Sequence, residues 1–189
     1  MDNRAVETTI YLISGPCGVG KSTVSKELAQ GIPRSVLLSG DALLHMYQGY
    51  NAPWDERLSL TWKNILSVTR NFVRGGWNVV IDFVVEDELG WFVRELEDLS
   101  ATVHYIVLIA DETTLIKRLD SRGTPELAER SLFLLNKLKT SEPNRPFLYD
   151  ASCKPSTVIA KDILSSSNFR MLHPPGGDHD RRASECMDI

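Results

Sequence analysis

Gly15-Pro16-Cys17-Gly18-Val19-Gly20-Lys21-Ser22 is the stretch on which the fold turns. It reads G-x-x-x-x-G-K-S, and its flanks matter as much as the octet. Upstream, Thr8–Ser14 (TTIYLIS) is a short β-rich apolar run, the pattern of a buried strand. Downstream, Lys21–Gln30 carries Val24 and Leu28 four apart, a helical spacing that Gly31-Ile32-Pro33 stops. A glycine-rich turn between strand and helix lets backbone N–H groups converge on phosphate oxygens, and the helix N-terminus adds partial positive charge. Gly15, Gly18, Val19, Gly20, Lys21, Ser22 and Thr23 are therefore the expected phosphate cradle. Lys21 is placed to reach the β- and γ-phosphates of a nucleoside triphosphate, and the Ser22 hydroxyl to ligate Mg²⁺. Cys17 reads as a small side chain at a tolerant loop position, since no histidine lies near it in sequence to act as a base.

Working outward, Ser35–Ser39, Asn78–Val85, Thr102–Ala110 and Phe147–Asp150 are four more apolar strand candidates. Between them the spacing predicts helices over 55–74, 87–98, 111–121, 125–139 and 155–164. In the first of these Leu58, Trp62, Ile65, Phe72 and Val73 share a face, and in the third Leu115, Ile116 and Leu119 point inward. Strands alternating with helices specify an α/β fold with a parallel sheet. Residues 1–164 are expected to form one domain. Residues 165–189, Ser-rich and then Pro-Pro-Gly-Gly, read as a flexible C-terminal tail. His173 and His179 with Asp178 and Asp180 look superficially like a metal cluster, but no supporting shell surrounds them in sequence.

Composition narrows the function. Twenty-one Lys and Arg against 25 Asp and Glu give a net charge of −4 over 189 residues, which argues against a nucleic-acid clamp or a polybasic membrane binder. No apolar run approaches the ~18 residues of a membrane span. The N-terminal Met-Asp-Asn-Arg-Ala lacks the build of a signal peptide, and three widely spaced cysteines are no disulfide framework. A cytoplasmic setting is expected. The charge is unevenly laid down: Asp82–Asp98 holds seven acids against Arg94, so the rest of the domain is net positive.

Guanine recognition would need Asn-Lys-x-Asp, and Asn136-Lys137-Leu138-Lys139 lacks the aspartate. Asp87-Glu88-Leu89-Gly90 matches a loose D-x-x-G switch pattern, but in a helical region. A remodelling ATPase would be larger and end its acidic strand with a carboxylate pair, where only Asp82 stands. A compact kinase remains.

Three further segments carry a resemblance: Gly40-Asp41-Ala42-Leu43-Leu44-His45, Leu119–Gly123 on to Arg130, and Tyr149–Pro155. With the phosphate loop, the chain over residues 8–164 resembles the small P-loop kinases of the gluconate/shikimate kinase and nucleoside monophosphate kinase superfamily. It is most similar to uncharacterised bacterial gluconate-kinase-like proteins, which also share the Pro53-Trp54 pair and a Thr61–Ile65-like helix. The longer histidine-bearing lid of true gluconate kinases is absent. The resemblance implies a three-layer P-loop NTPase fold, a five-stranded sheet of order 2-3-1-4-5 and a short lid at about 120–130. It implies ATP and Mg²⁺ as cofactors and a small-molecule hydroxyl acceptor, a sugar acid among the candidates. No nucleic-acid or membrane partner is implied, and the state is monomer or homodimer. Lys154 and Pro155 would lie beside adenine.

Roles follow from chemistry. Asp41 suits the orientation or deprotonation of an acceptor hydroxyl, and equally the N-cap of a helix near Ala42. Asp82, with Ser22, is the candidate for Mg²⁺ and its waters, or for polarising the acceptor. Arg118, Arg122 and Arg130 are lid arginines suited to a migrating phosphoryl group, unless they form a solvated helix face. Arg57 and His45 could contact an anionic or polyhydroxyl acceptor. Trp54 could wall its pocket, while Trp62 sits on an apolar stripe and reads as core. Two other readings stay open: a nucleoside, nucleotide or antibiotic kinase of the same fold, and an ATP-binding regulator with little chemistry.

Overall fold

The computed structural model describes residues 8–49 and 51–171. In chain order the elements are β1 (Thr8–Ser14), α1 (Lys21–Gln30), β2 (Ser35–Ser39), α2 (Gly40–Leu44) and α3 (Trp54–Arg74). Then come β3 (Asn78–Asp82), α4 (Leu89–Arg94), β4 (Ala101–Ile109), α5 (Glu112–Ser121), α6 (Ala128–Thr140), β5 (Leu148–Asp150) and α7 (Ser156–Ser165). The five strands form one parallel sheet in the order β2-β3-β1-β4-β5, as the resemblance implied.

Residues alternate across the sheet, so neighbours in one strand feed two cores. Ile10 and Leu12 of β1 meet Trp62 and Ile65 of α3 and Phe92 of α4 on one face. Tyr11 and Ile13 meet Val24 and Leu28 of α1 and Ile159 and Ile163 of α7 on the other. Trp62 is fully buried between Phe83 and Phe92, with ring centroids at 5.3 and 5.4 Å. The glycine pair after α3 closes it as expected: Trp77 N–H reaches Phe72 O and Gly76 N–H reaches Val73 O, with Gly76 at φ +74°.

The structure differs from the sequence expectations in several places, each with a local cause. β3 ends at Asp82 rather than Val85 because the Val85 N–H donates to the Ser14 hydroxyl (2.9 Å) instead of a strand partner. α4 covers 89–94 rather than 87–98, since the Glu88 carboxylate accepts the N–H groups of Glu86 and Asp87 and holds them out of a helix. Pro125–Leu127 is a tight 3-10 turn before α6 starts. Phe72 and Ile116 sit on the exposed sides of their helices.

Residues 165–171 do not behave as a loose tail. Ser165 ends α7, and the following segment runs back along β4. Tyr105 N–H donates to Phe169 O (2.8 Å), Met171 N–H donates to Val103 O (2.9 Å), and Phe169 is buried. The physical reason is an edge: β5 covers only Val107–Ile109 of β4, and the tail segment pairs where β5 does not reach. The histidine–aspartate cluster at 173–180 lies outside the described residues.

Trp62 fills the centre of the α3 side, yet its Nε1 is buried without a hydrogen-bond partner. Trp62→Ala is expected to cost about 3–5 kcal/mol, whereas Trp62→Phe, which removes the orphaned donor and keeps a ring, should cost much less. The urea unfolding midpoints of the two variants check this.

Candidate active site

The chain leaves β1 through a loop that only glycine permits at its first position. Gly15 has φ +144°, and a Cβ there would lie 2.4 Å from the Leu108 carbonyl oxygen of β4. At the other end Gly20 has φ +107°, with open space where a Cβ would be, and it leads into α1. Lys21 folds back over the loop, its ammonium donating to Gly15 O (2.8 Å) and Pro16 O (3.2 Å). The crest of the loop is tied to α6, because the buried Ser131 hydroxyl donates to Cys17 O at 2.7 Å.

Beneath the loop lies Asp82, the last residue of β3 and only 5% exposed. Its register partners are Ile13 of β1 and Ser39 of β2, so it stands where three strands end together. Burial pushes its carboxyl above the ordinary 3.8; a hydrogen bond from Ser22 and the Lys21 charge pull it back down, while the Asp41 charge adds to the rise. Two hard oxygen donors, the Ser22 hydroxyl and the Asp82 carboxylate, are thus joined beside a lysine. This donor pair would suit a Mg²⁺, which takes few protein ligands. Among the described residues no group of three or more His, Cys, Asp or Glu side chains is gathered as a metal cage.

Asp41 is not the cap of its helix. The Ser39 side chain takes that duty by accepting the Ala42 N–H at 3.3 Å, which leaves the Asp41 carboxylate in the first turn, facing the cleft. A cleft of about 1000 Å³ gathers Gly18, Val19, Gly20, Lys21, Ser22 and Thr23 with Asp41, Arg118, Arg122, Lys154 and Pro155. Asp82 lies below this surface under Ser22.

Other expected residues stand elsewhere. His45 closes α2, with Nδ1 2.6 Å from the Asp41 carbonyl oxygen. The Arg57 guanidinium lies 5.0 Å from the Tyr47 ring and 5.9 Å from the Trp54 ring, and Trp54 is 56% exposed. His45, Trp54 and Arg57 thus cluster at the α2–α3 connection, away from the cleft wall. Arg130 does not line the cleft either; it pairs with Glu86 and stacks on Phe133 at 5.3 Å.

Arg118 is neither a solvated surface residue nor a free phosphate contact. It donates to Val19 O (2.9 Å) in the loop and to Ala151 O and Ser152 O (both 3.3 Å) after β5, which joins the two ends of the cleft. Lys154 lines the cleft but is bonded to Asp162 (2.8 Å) and to the Tyr149 hydroxyl (2.9 Å). Sequence reasoning missed Thr114, Lys117 and Ser152 on the cleft wall, and Ser131 and Glu86 behind it. Lys117 adjoins Arg118 and had a local signal; Ser131 and Glu86 had none.

The raised carboxyl of Asp82 makes a signed prediction. A group held above its unfolded value binds protons more readily in the folded state, so stability falls as pH rises through that range. Asp82→Asn keeps the shape and removes the charge. It is expected to melt higher than the native chain at pH 7, with the difference shrinking as pH falls towards the ordinary carboxylate value. Thermal unfolding across pH 4–8 checks this.

With that geometry in place, comparisons with known proteins give a consistent picture. An AAA domain family model matches residues 10–140. No curated protein matches the chain. Among solved structures, a Deinococcus radiodurans tunicamycin resistance protein is similar at 22% identity and TM-score 0.61, covering 83% of this chain and 94% of its own. A gluconokinase from Sinorhizobium meliloti 1021 is similar at 19% identity and TM-score 0.57, covering 86% and 91%. A shikimate kinase from Acinetobacter baumannii in complex with shikimate follows at 19% and 0.52, covering 85% and 92%. Identities this low speak for the fold alone, a five-stranded parallel sheet flanked by helices. With its strand–loop–helix cradle and the family model spanning most of its length, the chain belongs to the AAA domain family of P-loop proteins.

Proposed function

We propose that this protein is an ATP- and Mg²⁺-dependent kinase that moves the γ-phosphoryl group of ATP to a hydroxyl of a small-molecule acceptor in the cytoplasm. The observation that carries the reading is the uncapped Asp41 carboxylate on the wall of the same cleft as the phosphate cradle. A protein that only senses nucleotide has no need of a carboxylate aimed there. Asp41 is exposed and free of the Ser39 cap, so it can accept the proton of an acceptor hydroxyl held within hydrogen-bond reach. Asp82 is buried and bonded to Ser22, which suits it to the metal side instead. Mg²⁺, held by Ser22 and Asp82, would supply charge neutralisation on the β- and γ-phosphate oxygens.

Lys21 would exchange its two backbone carbonyls for phosphate oxygens, and Arg122 on the cleft wall would face the migrating group. Arg118 contributes by holding the loop against the β5–α7 turn rather than by touching phosphate. The names of the similar structures point to sugar acids and related hydroxy acids as a first acceptor class, and to tunicamycin-like antibiotics as a second.

ADP release over a panel of sugar acids, shikimate, nucleosides, nucleoside monophosphates and antibiotics tests the proposal. At least one acceptor should raise ADP production above the blank, and Lys21→Ala should abolish the rise. Asp41→Asn should lower kcat by about 10²–10⁴ while ATP binding persists. Tight ATP binding with no transfer to any acceptor would overturn the kinase reading in favour of a nucleotide-binding regulator.

A further inference from the structure

Four charged groups meet between α6 and the loop after β3. Arg130 and Lys137 lie on α6, seven residues apart and so on one side of the helix. Glu86 lies in the loop after β3, four residues beyond Asp82, and its side chain is 16% exposed. Glu86 pairs with Arg130 through one carboxylate oxygen and with Lys137 (3.2 Å) through the other. Asp87 gives Lys137 a second partner at 2.7 Å.

This cross-link is anchored at the phosphate loop on both sides. Ser131, next to Arg130, bonds the Cys17 carbonyl at the crest of the loop. Val85, next to Glu86, bonds the hydroxyl of Ser14, where the loop begins. Arg130 is therefore held one residue away from a direct tether to the phosphate cradle, with its charge taken by Glu86.

From this geometry we infer that Glu86 is a positioning residue that holds Arg130 back from the phosphates and releases it when the lid closes on both substrates. The inference rests on the kinase reading, since it needs a phosphoryl group for Arg130 to reach. Its logic is exchange: a carboxylate and a phosphate compete for one guanidinium, and the planar fork suits either. The Glu86 pair is partly exposed, so its hold is weak enough to be given up. Lys137 keeps Glu86 and Asp87 company after the exchange, and no carboxylate is left stranded. The functional consequence is suppression of waste. Without acceptor, water attacking the γ-phosphorus would break its bond to the β–γ bridging oxygen, giving ADP, inorganic phosphate and a proton. Withholding Arg130 slows that reaction.

The test is ADP formation without acceptor in Glu86→Gln, measured beside thermal unfolding and binding of a fluorescent ATP analogue. The uncoupled rate is expected to rise about 1.4- to fivefold, the range set by one partly exposed ion pair. The rise should vanish in the double variant Glu86→Gln/Arg130→Gln. A general loosening of the fold would not produce that dependence on Arg130. An unchanged or lower rate in folded, ATP-binding Glu86→Gln overturns the inference, as does a rise that survives loss of Arg130. Should Glu86→Gln fail to fold, Glu86→Asp carries the test: the shorter carboxylate weakens the pair and should give a smaller rise, and no rise overturns the inference. If the native chain binds no ATP analogue, or makes ADP that Lys21→Ala leaves intact, the kinase reading falls and this inference with it. If those controls behave and only the Glu86 effect is missing, the inference alone fails.

Discussion

β1 is hydrogen-bonded along both edges, to β3 on one side and β4 on the other, and the rest of the site depends on that constraint. A strand with two parallel neighbours has no sideways exit, so the chain must turn up and over the sheet. It does so where β3 ends and β4 has two residues left to run: Ile13 sits beside Asp82 and Ser14 beside Val107. The turn passes so close to Leu108 of β4 that its first residue can carry no side chain. Ligands in open α/β sheets bind in the crevice beyond the carboxyl ends of the strands, where the order reverses. Here that crevice is floored by the cradle and flanked by the ends of β2 and β3, which bring Asp41 and Asp82 to it.

A buried polar chain behind the cradle fixes the loops around it. The Ser14 hydroxyl accepts the Val85 N–H and also meets the Tyr105 hydroxyl. Tyr105 donates to Asn144 Oδ1 (3.1 Å), and Asn144 Nδ2 donates to Leu138 O (3.1 Å) at the end of α6. Burial pushes the Tyr105 phenol far up, so it remains a donor throughout the neutral range. Each polar atom in the chain has a partner, which is the condition under which a buried network specifies structure. The end of β1, the loop bearing Glu86 and the end of α6 are thereby held in one register.

How much of this could be read in the sequence follows the range of each interaction. The cradle, the five strands and the sheet's helices were legible because strand–glycine–helix spacing and apolar periodicity are local. Trp62 as core was legible for the same reason. Ser39 rather than Asp41 as the helix cap was a local competition between two good capping residues two apart, and only geometry decides it. Arg118 read as a solvated residue or a lid arginine because its carbonyl partners are Val19, Ala151 and Ser152, brought near only by folding. Arg130 read as a free lid arginine because Glu86 is 44 residues away. The Lys154–Asp162 pair, eight residues apart across the start of α7, was not read from the sequence. The turn of chain after α7 was misjudged by composition, since serines and a lone Phe169 do not show that β4 has an open edge.

The uneven charge of the sequence now has a physical reading. The acidic stretch from Asp82 to Asp98 is not a separate surface that leaves the cations to the pocket. Asp98 is engaged by Arg70 and Arg74, and Glu86 and Asp87 by Arg130 and Lys137. Asp82 is buried under Ser22. On the cleft wall, Lys117 and Arg122 have no ion-pair partner among the described residues, whereas Lys21 donates to two carbonyl oxygens and also acts on the buried Asp82 carboxyl. Charge that is already paired adds little to the field at the cradle. Among the described residues the unpaired positive charge of the cleft wall thus rests chiefly with Lys117 and Arg122, with Lys21 and Arg118 bonded to backbone oxygens beside them. A net charge of −4 thus does not preclude a cleft wall that gathers Lys21, Lys117, Arg118 and Arg122.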